Sequence, residues 1–225
     1  LPHWTKEIIS GKGWNVDRGN WCYIDSILSG VNYGKYNVDA LIDAIFISDD
    51  NHLALAENRL DAMLHFAISR YAMYSQIYLH RVNLAIDKLF HALIQRAREL
   101  GESIEYADNY MAQALQAKSP DDLCLDTIFW MRESWWNYHV SRWIEDNDPI
   151  ISDLSKRLLH RDLFKTIRIT ESDNEKNLEK TIKEIASRLG YDPKYYIWQI
   201  EAKPIQFENL KDSIQVLKEN SLLVP

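Results

Sequence analysis

The stretch from Glu57 to Leu100 constrains the fold more than any other part of this sequence. It contains no Gly and no Pro, and its apolar residues recur at steps of three and four. This spacing lines one face of an α-helix, and Gly101, directly after the stretch, is a typical helix stop. The pattern predicts one long helix, or two nearly continuous helices, and therefore a mainly α fold.

Shorter elements precede this segment. A helix is predicted over Thr5–Ser10, and helical character over Asn20–Ser29 ends at Gly30. Asn37 can cap another helix, because its side chain can accept a hydrogen bond from the first turn. A small hairpin is predicted after it, from Ile45–Ser48 and His52–Leu55.

Three helices are predicted after Gly101, over Ser103–Ala117, Asp121–Tyr138 and Pro149–Leu159. The second follows a strong start signal at Ser119-Pro120. Composition changes near Leu163.

Beyond that point, strands and a helix alternate. Strands are predicted over Phe164–Thr170, Tyr195–Ile200 and Ser213–Leu217. A capping box at Ser172 and Glu175 precedes an amphipathic helix that Gly190 ends. We therefore predict a helical body at residues 1–160 and a small α+β appendage at residues 161–225.

Composition and charge argue against several classes of protein. The 225 residues carry a formal net charge of −7 and no Lys/Arg-rich run. This argues against duplex nucleic acid as the main partner, because such binding depends on neutralising phosphates. No apolar stretch is long enough to span a membrane, and no signal peptide is visible. Cys22 and Cys124 lack metal-type spacing and predict reduced thiols in a cytoplasmic protein.

A carboxylate and a guanidinium group lie close together in the segment Asn15–Gly34. If residues 17–29 are helical, Arg18 and Asp25 share a face, with Asp17 offset by about one residue's rotation. From these residues alone, the arrangement is typical of a surface ion pair.

A second segment carries a stripe of tyrosines and arginines. On one continuous helix, a quarter-turn stripe would hold Arg70, Tyr74, Tyr78 and Arg81. A tyrosine-rich stripe is more often a packing face than a ligand site. The two arginines favour a ligand site, because core faces rarely hold unpaired charge. By contrast, His65, His91 and His139 have no partner at zinc-type spacing and are interpreted as ordinary helix histidines.

Together the two segments resemble the HD-domain nucleotide phosphohydrolases, in particular the deoxynucleoside triphosphate (dNTP) triphosphohydrolases related to bacterial dGTPase. The first segment matches a family motif without a gap, at Val16, Asp17, Arg18, Asp25 and Gly30. The second is similar to the family's Arg-x₇-Tyr-x-His-Lys/Arg pattern. A third stretch, over residues 148–165, extends the likeness to about residues 5–200.

The resemblance implies a role for several matched residues. Asp17 would be the last metal ligand, Arg18 a phosphate contact, and Asp25 a contact to the sugar 3′-hydroxyl. Arg70 would contact a phosphate, and Tyr78 would lie against the sugar or base. A carboxylate suits a divalent metal, and arginine suits a pair of phosphate oxygens.

Three further residues of the second segment are assigned to substrate binding. Tyr74 shares the stripe of Arg70 and Tyr78. His80 and Arg81 follow in register and would serve the substrate, a second nucleotide site or a subunit interface. We assign no catalytic acid or base.

The first segment also departs from the family pattern. Gly19 and Asn20 stand where a bulky apolar residue and a second Asp are usual, Trp21 replaces a Tyr, and Ile24 replaces an Arg. These departures bear on sugar and base recognition more than on the metal position.

The family's name-giving His and His-Asp ligands precede these segments, and no His-Asp dipeptide occurs here. Since the first residue is not Met, we expect a segment of a longer protein. The resemblance implies the C-terminal part of an enzyme that hydrolyses a dNTP to a deoxynucleoside and triphosphate. Its divalent metal (Mn, Mg, Fe or Zn) would bind only with the missing N-terminal ligands present, so we expect the chain alone to be inactive.

The alternative is a degenerate, non-catalytic HD relative that acts as an oligomerisation or regulatory scaffold. The departures around Gly19–Cys22 support it, and so do the many aromatic residues, which suit protein interfaces. In either case, we expect a homo-oligomer, because such a chain should expose apolar surface.

Overall fold

The computed structural model describes residues 1–11, 14–169, 175–200, 215–217 and 223–224. These residues are mainly helical with a small sheet, which confirms the predicted fold class. They divide into two compact units: Leu1–His80 with the described residues of Ala202–Pro225, and Arg81–Glu201. The predicted boundary between body and appendage, at residue 160, does not coincide with a boundary between these units, and this division stays a prediction.

The first unit is built on helices that local signals start and stop. Its helices are α1 (His3–Ser10), α2 (Val16–Leu28), α3 (Val38–Ile42) and α4 (Leu60–Met73), followed by a π-helical turn at Tyr74–Tyr78. The Asn37 side chain accepts a hydrogen bond from the Ala40 N–H at 3.0 Å, so the predicted cap is confirmed. The buried core of this unit consists of Trp14, Cys22, Tyr36, Leu41, Ala44, Leu55, Phe66 and Met73.

The described strands of the first unit form one sheet of order β1-β2-β3-β4. The strands are β1 (Ile45–Ile47), β2 (Leu53–Ala56), β3 (Gln215–Leu217) and β4 (Leu223–Val224). The hairpin of β1 and β2 is antiparallel, with Phe46 opposite Ala54, and this confirms the predicted hairpin. β2 pairs in parallel with β3, which pairs antiparallel with β4.

The second unit packs helices around α5. Its helices are α5 (Arg81–Leu100), α6 (Asn109–Gln116), α7 (Leu125–Trp130), α8 (Glu133–Trp143), α9 (Pro149–His160), α10 (Glu175–Arg188) and α11 (Pro193–Tyr196). Leu89, Leu93 and Trp143 are fully buried in its core. Asp148 caps α9 and also accepts a hydrogen bond from Arg96 Nε at 3.2 Å, which joins α5 to α9.

Several predicted elements differ from those observed. The Ser103–Ala117 helix is reduced to α6, because Tyr106 adopts a left-handed conformation (φ 59°) and Asp108 caps a new start. The Asp121–Tyr138 helix is interrupted between Trp130 and Glu133, although the capping box at Ser119 forms as predicted.

Two predicted strands of the appendage are wrong. Residues 164–169 have no regular secondary structure, and residues 193–196 form α11. Of the apolar residues that mimicked a strand, Phe164 packs on Tyr196 and Trp198 at centroid distances of 5.8 and 5.1 Å, whereas Ile167 and Ile169 are exposed. The predicted helix before Gly190 is confirmed as α10, and β3 falls within the third predicted strand. The capping residue Ser172 lies outside the described residues.

Candidate functional site

Helix α2 carries the acidic and basic residues of the first segment. Its start at Val16 is fixed by Asn15, whose side chain accepts a hydrogen bond from the Arg18 N–H at 2.7 Å. Asp17 lies in the first turn and is exposed to solvent. The next two turns bring Trp21 and Asp25 onto the same side of the helix, because residues four apart lie one above the other.

The end of α2 is held by a tight loop. Gly30 has a φ of 69°, and the Gly30 and Val31 N–H groups bond the Ile27 and Ser26 carbonyls at 3.0 Å. These two bonds are those of a Schellman motif, which needs a left-handed residue. The helix therefore stops where the sequence predicted.

The same loop is pressed against α2 at Gly34. A Cβ at this position would overlap the Cys22 carbonyl oxygen and come within 2.8 Å of Met73 Cγ. The Gly34 N–H donates to Ser26 Oγ at 3.1 Å. Farther along, Ser69 Oγ donates to the Lys35 carbonyl at 3.2 Å. The loop thus fixes α2 relative to α4.

Asp25 and Tyr78 meet at the centre of the site. The Tyr78 hydroxyl donates a hydrogen bond to Asp25 Oδ2. Burial, and then this hydrogen bond, raise the pKa of Tyr78 well above its usual range. The phenol is therefore a neutral donor, and the carboxylate is held in one orientation.

Two further aromatic rings, those of Trp21 and Tyr74, pack on the Tyr78 ring. Trp21 lies edge-on to Tyr74 and Tyr78, with centroid distances of 5.7 and 5.4 Å, and the two tyrosine rings are 5.2 Å apart. Such edge-to-face arrangements are favourable because the positive ring edge meets the negative ring face. In the sequence, Trp21 stands out only as a departure from the family pattern; its spacing of four residues from Asp17 and Asp25 is the signal that it shares their face.

Tyr78 reaches this position because the chain leaves α-helical geometry. Over Tyr74–Tyr78 the backbone forms a π-helical turn, with the Leu79 N–H bonded to the Tyr74 carbonyl at 2.8 Å. Such turns are rare in proteins, and those that occur are often found at functional sites. The continuous helix from Glu57 to Leu100 is thus interrupted, and the expectation of two nearly continuous helices is the one that holds.

Arg70 brings positive charge to the aromatic rings. Its guanidinium carbon lies 5.2 Å from the centroid of the Tyr74 ring, a cation–π contact. Arg70 Nε is buried and, among the described residues, has no hydrogen-bond partner. Burial raises the pKa of the Cys22 thiol to about 11; Arg70 opposes this rise and Asp25 adds to it. Both charged groups therefore lie within electrostatic reach of the same thiol.

The structure brings Asp25, Arg70, Tyr74 and Tyr78 together. Arg18 lies in the first turn of α2 and is half-buried. His80 is exposed and is the last residue of its segment of the first unit. Arg81 is the first residue of α5 and belongs to the second unit.

The structure does not complete a metal site around Asp17. Among the described residues, the one group of three metal-ligating side chains close enough to share an ion is His3, Glu7 and His52. Asp17 is not a member of it, and a single carboxylate does not fit a catalytic divalent ion, which takes three or more protein ligands. This group was not predicted: the four-residue spacing of His3 and Glu7 is visible in the sequence, whereas His52 joins them only in the fold.

Within the described part of the chain, every helix is too short or too polar to cross a membrane.

Comparison with known proteins places these observations in a family. The profile of the HD associated region matches residues 37–224. This match includes Arg70, Tyr74, Tyr78, His80 and Arg81, whereas the α2 residues precede it. Over 186 residues the chain is 25% identical to the uncharacterized protein YwfO of Bacillus subtilis, covering 81% of this chain and 42% of that protein.

The fold is also similar to that of a solved structure. A phosphohydrolase from Bacteroides thetaiotaomicron superposes with a TM-score of 0.79 at 21% identity, covering 99% of this chain and 57% of that one. The chain thus spans about half the length of the proteins it resembles. The HD part of the resemblance is confirmed, and the chain belongs to the family of the HD associated region.

Proposed function

We propose that this chain is part of a metal-dependent HD phosphohydrolase that hydrolyses a dNTP to a deoxynucleoside and inorganic triphosphate. The observation that carries the proposal is the hydrogen bond from Tyr78 to Asp25, with Arg70 close by. Together these residues offer an acceptor for a sugar hydroxyl, ring surface for a sugar or base, and a cation for phosphate.

Asp25 is suited to binding a sugar hydroxyl. An ionised carboxylate accepts about four hydrogen bonds, so the bond from Tyr78 leaves capacity for a ligand. Tyr78 holds the carboxylate in place, and Trp21 packs against the edge of the Tyr78 ring. In the proposed complex, Asp25 accepts a hydrogen bond from the 3′-hydroxyl of the deoxyribose.

Arg70 is suited to binding a phosphate. A guanidinium group has five N–H donors in a planar fork that matches a pair of phosphate oxygens. Its Nε, buried without a hydrogen-bond partner in the described part of the chain, is a donor that a ligand oxygen could satisfy. Arg18 supplies a second guanidinium on α2.

Asp17 supplies one carboxylate for the metal that the resemblance implies. The remaining ligands would come from outside this chain, so we expect the chain alone to be inactive. The metal would polarise the phosphate and activate a water molecule. The cytoplasmic location and the homo-oligomer stay predictions.

The test is triphosphate release by the protein at its full natural length. Wild type, Asp17→Ala and the control Asp43→Ala would each be assayed with the four dNTPs in Mn²⁺ or Mg²⁺. Asp43 is likewise an exposed aspartate, at the end of α3. We expect activity in wild type and Asp43→Ala and none in Asp17→Ala. A wild-type protein that releases no triphosphate from any dNTP would refute the proposal and favour the non-catalytic scaffold.

A further inference from the structure

Two histidines and a glutamate meet in the first unit, apart from the candidate nucleotide site. His3 and Glu7 lie one turn apart on α1, and His52 precedes β2. The Nδ1 atoms of His3 and His52 lie 3.1 and 2.8 Å from Glu7 Oε1. The three ligand atoms all lie within 4.8 Å of one another. Both imidazoles therefore direct a nitrogen at the same carboxylate oxygen.

Hydrogen bonds hold the Glu7 side chain and the backbone of His52 in place. Glu7 Oε2 accepts a hydrogen bond from the Leu53 N–H at 2.8 Å, which fixes the carboxylate. His52 is anchored by its own backbone, since its N–H donates to Ser48 Oγ at 3.2 Å and its carbonyl accepts from the Ser48 N–H at 2.8 Å. Hydrogen bonds that orient a ligand in this way are typical of metal sites, and their loss weakens metal affinity.

We propose that His3, Glu7 and His52 form a binding site for Zn²⁺ or a similar transition-metal ion. Two imidazoles and one carboxylate are a donor set that zinc accepts, with a fourth position left for water or another ligand. Tetrahedral zinc with bonds of about 2.0–2.1 Å separates its ligand atoms by roughly 3.3 Å. The Nδ1 atoms of His3 and His52, at 3.1 and 2.8 Å from Glu7 Oε1, each need only a small movement away from that oxygen to reach this separation.

A metal ion bound at this site would attach α1 to the hairpin of β1 and β2. Among its described residues, α1 buries none fully, although it packs against α2 and β2. A helix that buries so little apolar surface gains stability when a metal ion links two of its residues to the hairpin of β1 and β2. Metal binding would thus stabilise α1, which leads into the helix that carries Asp17 and Asp25.

The first experiment counts zinc ions. The protein at its full natural length would be purified without a histidine tag, stripped with chelator and titrated with Zn²⁺ alone. We expect wild type to bind one more ion per chain than His52→Ala or Glu7→Gln. Gln keeps an oxygen for the Leu53 N–H, so Glu7→Gln tests ligand charge with little change in shape. His65→Ala, an exposed histidine on α4, is the matched control and should bind as wild type does.

The second experiment measures stability and geometry. At about a hundredfold excess over its Kd, Zn²⁺ should raise the melting temperature of wild type and His65→Ala by about 5 °C more than that of His52→Ala. Co²⁺ in place of zinc should give the visible absorption of a tetrahedral site in wild type and not in His52→Ala. The proposal is overturned if His52→Ala and Glu7→Gln bind as many ions as wild type. None of these measurements uses phosphohydrolase activity, so the two proposals fail independently.

Discussion

The hydroxyl of Tyr78 bonds the carboxylate of Asp25 across 53 positions of sequence. One residue lies in the third turn of α2 and the other ends the π-helical turn after α4. The bond exists because the loop after α2 is locked against both helices and because the π turn changes the direction of the Tyr78 side chain. It ties the two segments that resemble the HD phosphohydrolases into one site.

Removing the Tyr78 hydroxyl should weaken substrate use without unfolding the protein. Tyr78→Phe leaves the ring packed on Trp21 but removes the donor to a half-buried carboxylate. A hydrogen bond to a charged group contributes about 1.5–3 kcal/mol, so we expect kcat/KM for dNTPs to fall by about tenfold or more. Steady-state kinetics would measure this.

The matched control for Tyr78→Phe is Tyr71→Phe, which removes a hydroxyl from an exposed tyrosine on α4. It should leave kcat/KM unchanged. Equal losses in the two variants would contradict the role given to the Tyr78–Asp25 bond.

Two glycines beside the site should differ in their tolerance of alanine. At Gly34 the added Cβ overlaps the Cys22 carbonyl oxygen, so Gly34→Ala should lower the free energy of unfolding by about 2–4 kcal/mol. At Gly30 there is open space and the cost is the positive φ alone, about 1 kcal/mol. Urea unfolding of both variants measures the difference. A larger loss for Gly30→Ala would mean that the loop does not press on α2.

Local signals in the sequence predicted the ends of helices well. Asn37 as a cap and Gly30 and Gly101 as stops depend on the backbone of a few neighbouring residues, so they can be seen without the fold. The same holds for the hairpin of β1 and β2, whose strands are close in sequence.

Features set by distant residues could not be predicted in this way. The parallel pairing of Leu55 with Val216 joins opposite ends of the chain. In the apolar alternation from Phe164, that residue packs on aromatic rings while Ile167 and Ile169 are exposed, so no strand ladder forms although the sequence pattern resembles one. The π turn at Tyr74–Tyr78 follows no Gly or Pro, so nothing in the sequence signalled that the regular helix assumed for the stripe of Arg70, Tyr74, Tyr78 and Arg81 ends at Met73.

The two cysteines should differ in reactivity. Cys22 is fully buried, and burial raises the pKa of its thiol to about 11. Cys124 is exposed, and hydrogen bonding with Thr127 lowers the pKa of its thiol. Because the thiolate is the reactive form, Ellman's reagent at about pH 8 should modify Cys124 quickly and Cys22 only after unfolding.

The comparison of wild type with Cys124→Ser isolates this difference. Cys124→Ser should show one thiol equivalent fewer in the fast phase. The total number of thiols that react in urea should fall by the same one equivalent. If Cys124→Ser leaves the fast phase unchanged, the exposed thiol has been assigned to the wrong residue.

Glu99 gives the second unit a stabilising contact that depends on pH. Its carboxylate accepts hydrogen bonds from Lys194 Nζ at 2.9 Å, from the Tyr195 hydroxyl, and from Gln95 Nε2 at 3.0 Å. The hydrogen bond from Lys194, followed by that from Tyr195, lowers the pKa of Glu99 to about 2 from an ordinary value of 4.5. These bonds join α5 to α11.

Because the folded pKa of Glu99 is the lower one, its contribution to stability is complete above the unfolded value of 4.5 and is lost as pH falls toward about 2. Urea unfolding of wild type and Glu99→Gln, repeated from about pH 6 down to about pH 3, should show a stability gap that is constant down to about pH 5 and then narrows as the pH falls further. Since the group is partly exposed, the gap should also narrow with added salt. Glu102→Gln, an exposed glutamate just after α5, is the control and should show a smaller gap at every pH. A gap for Glu99→Gln that stays constant or widens on acidification would show that the contact stabilises the fold by its packing and not by its charge.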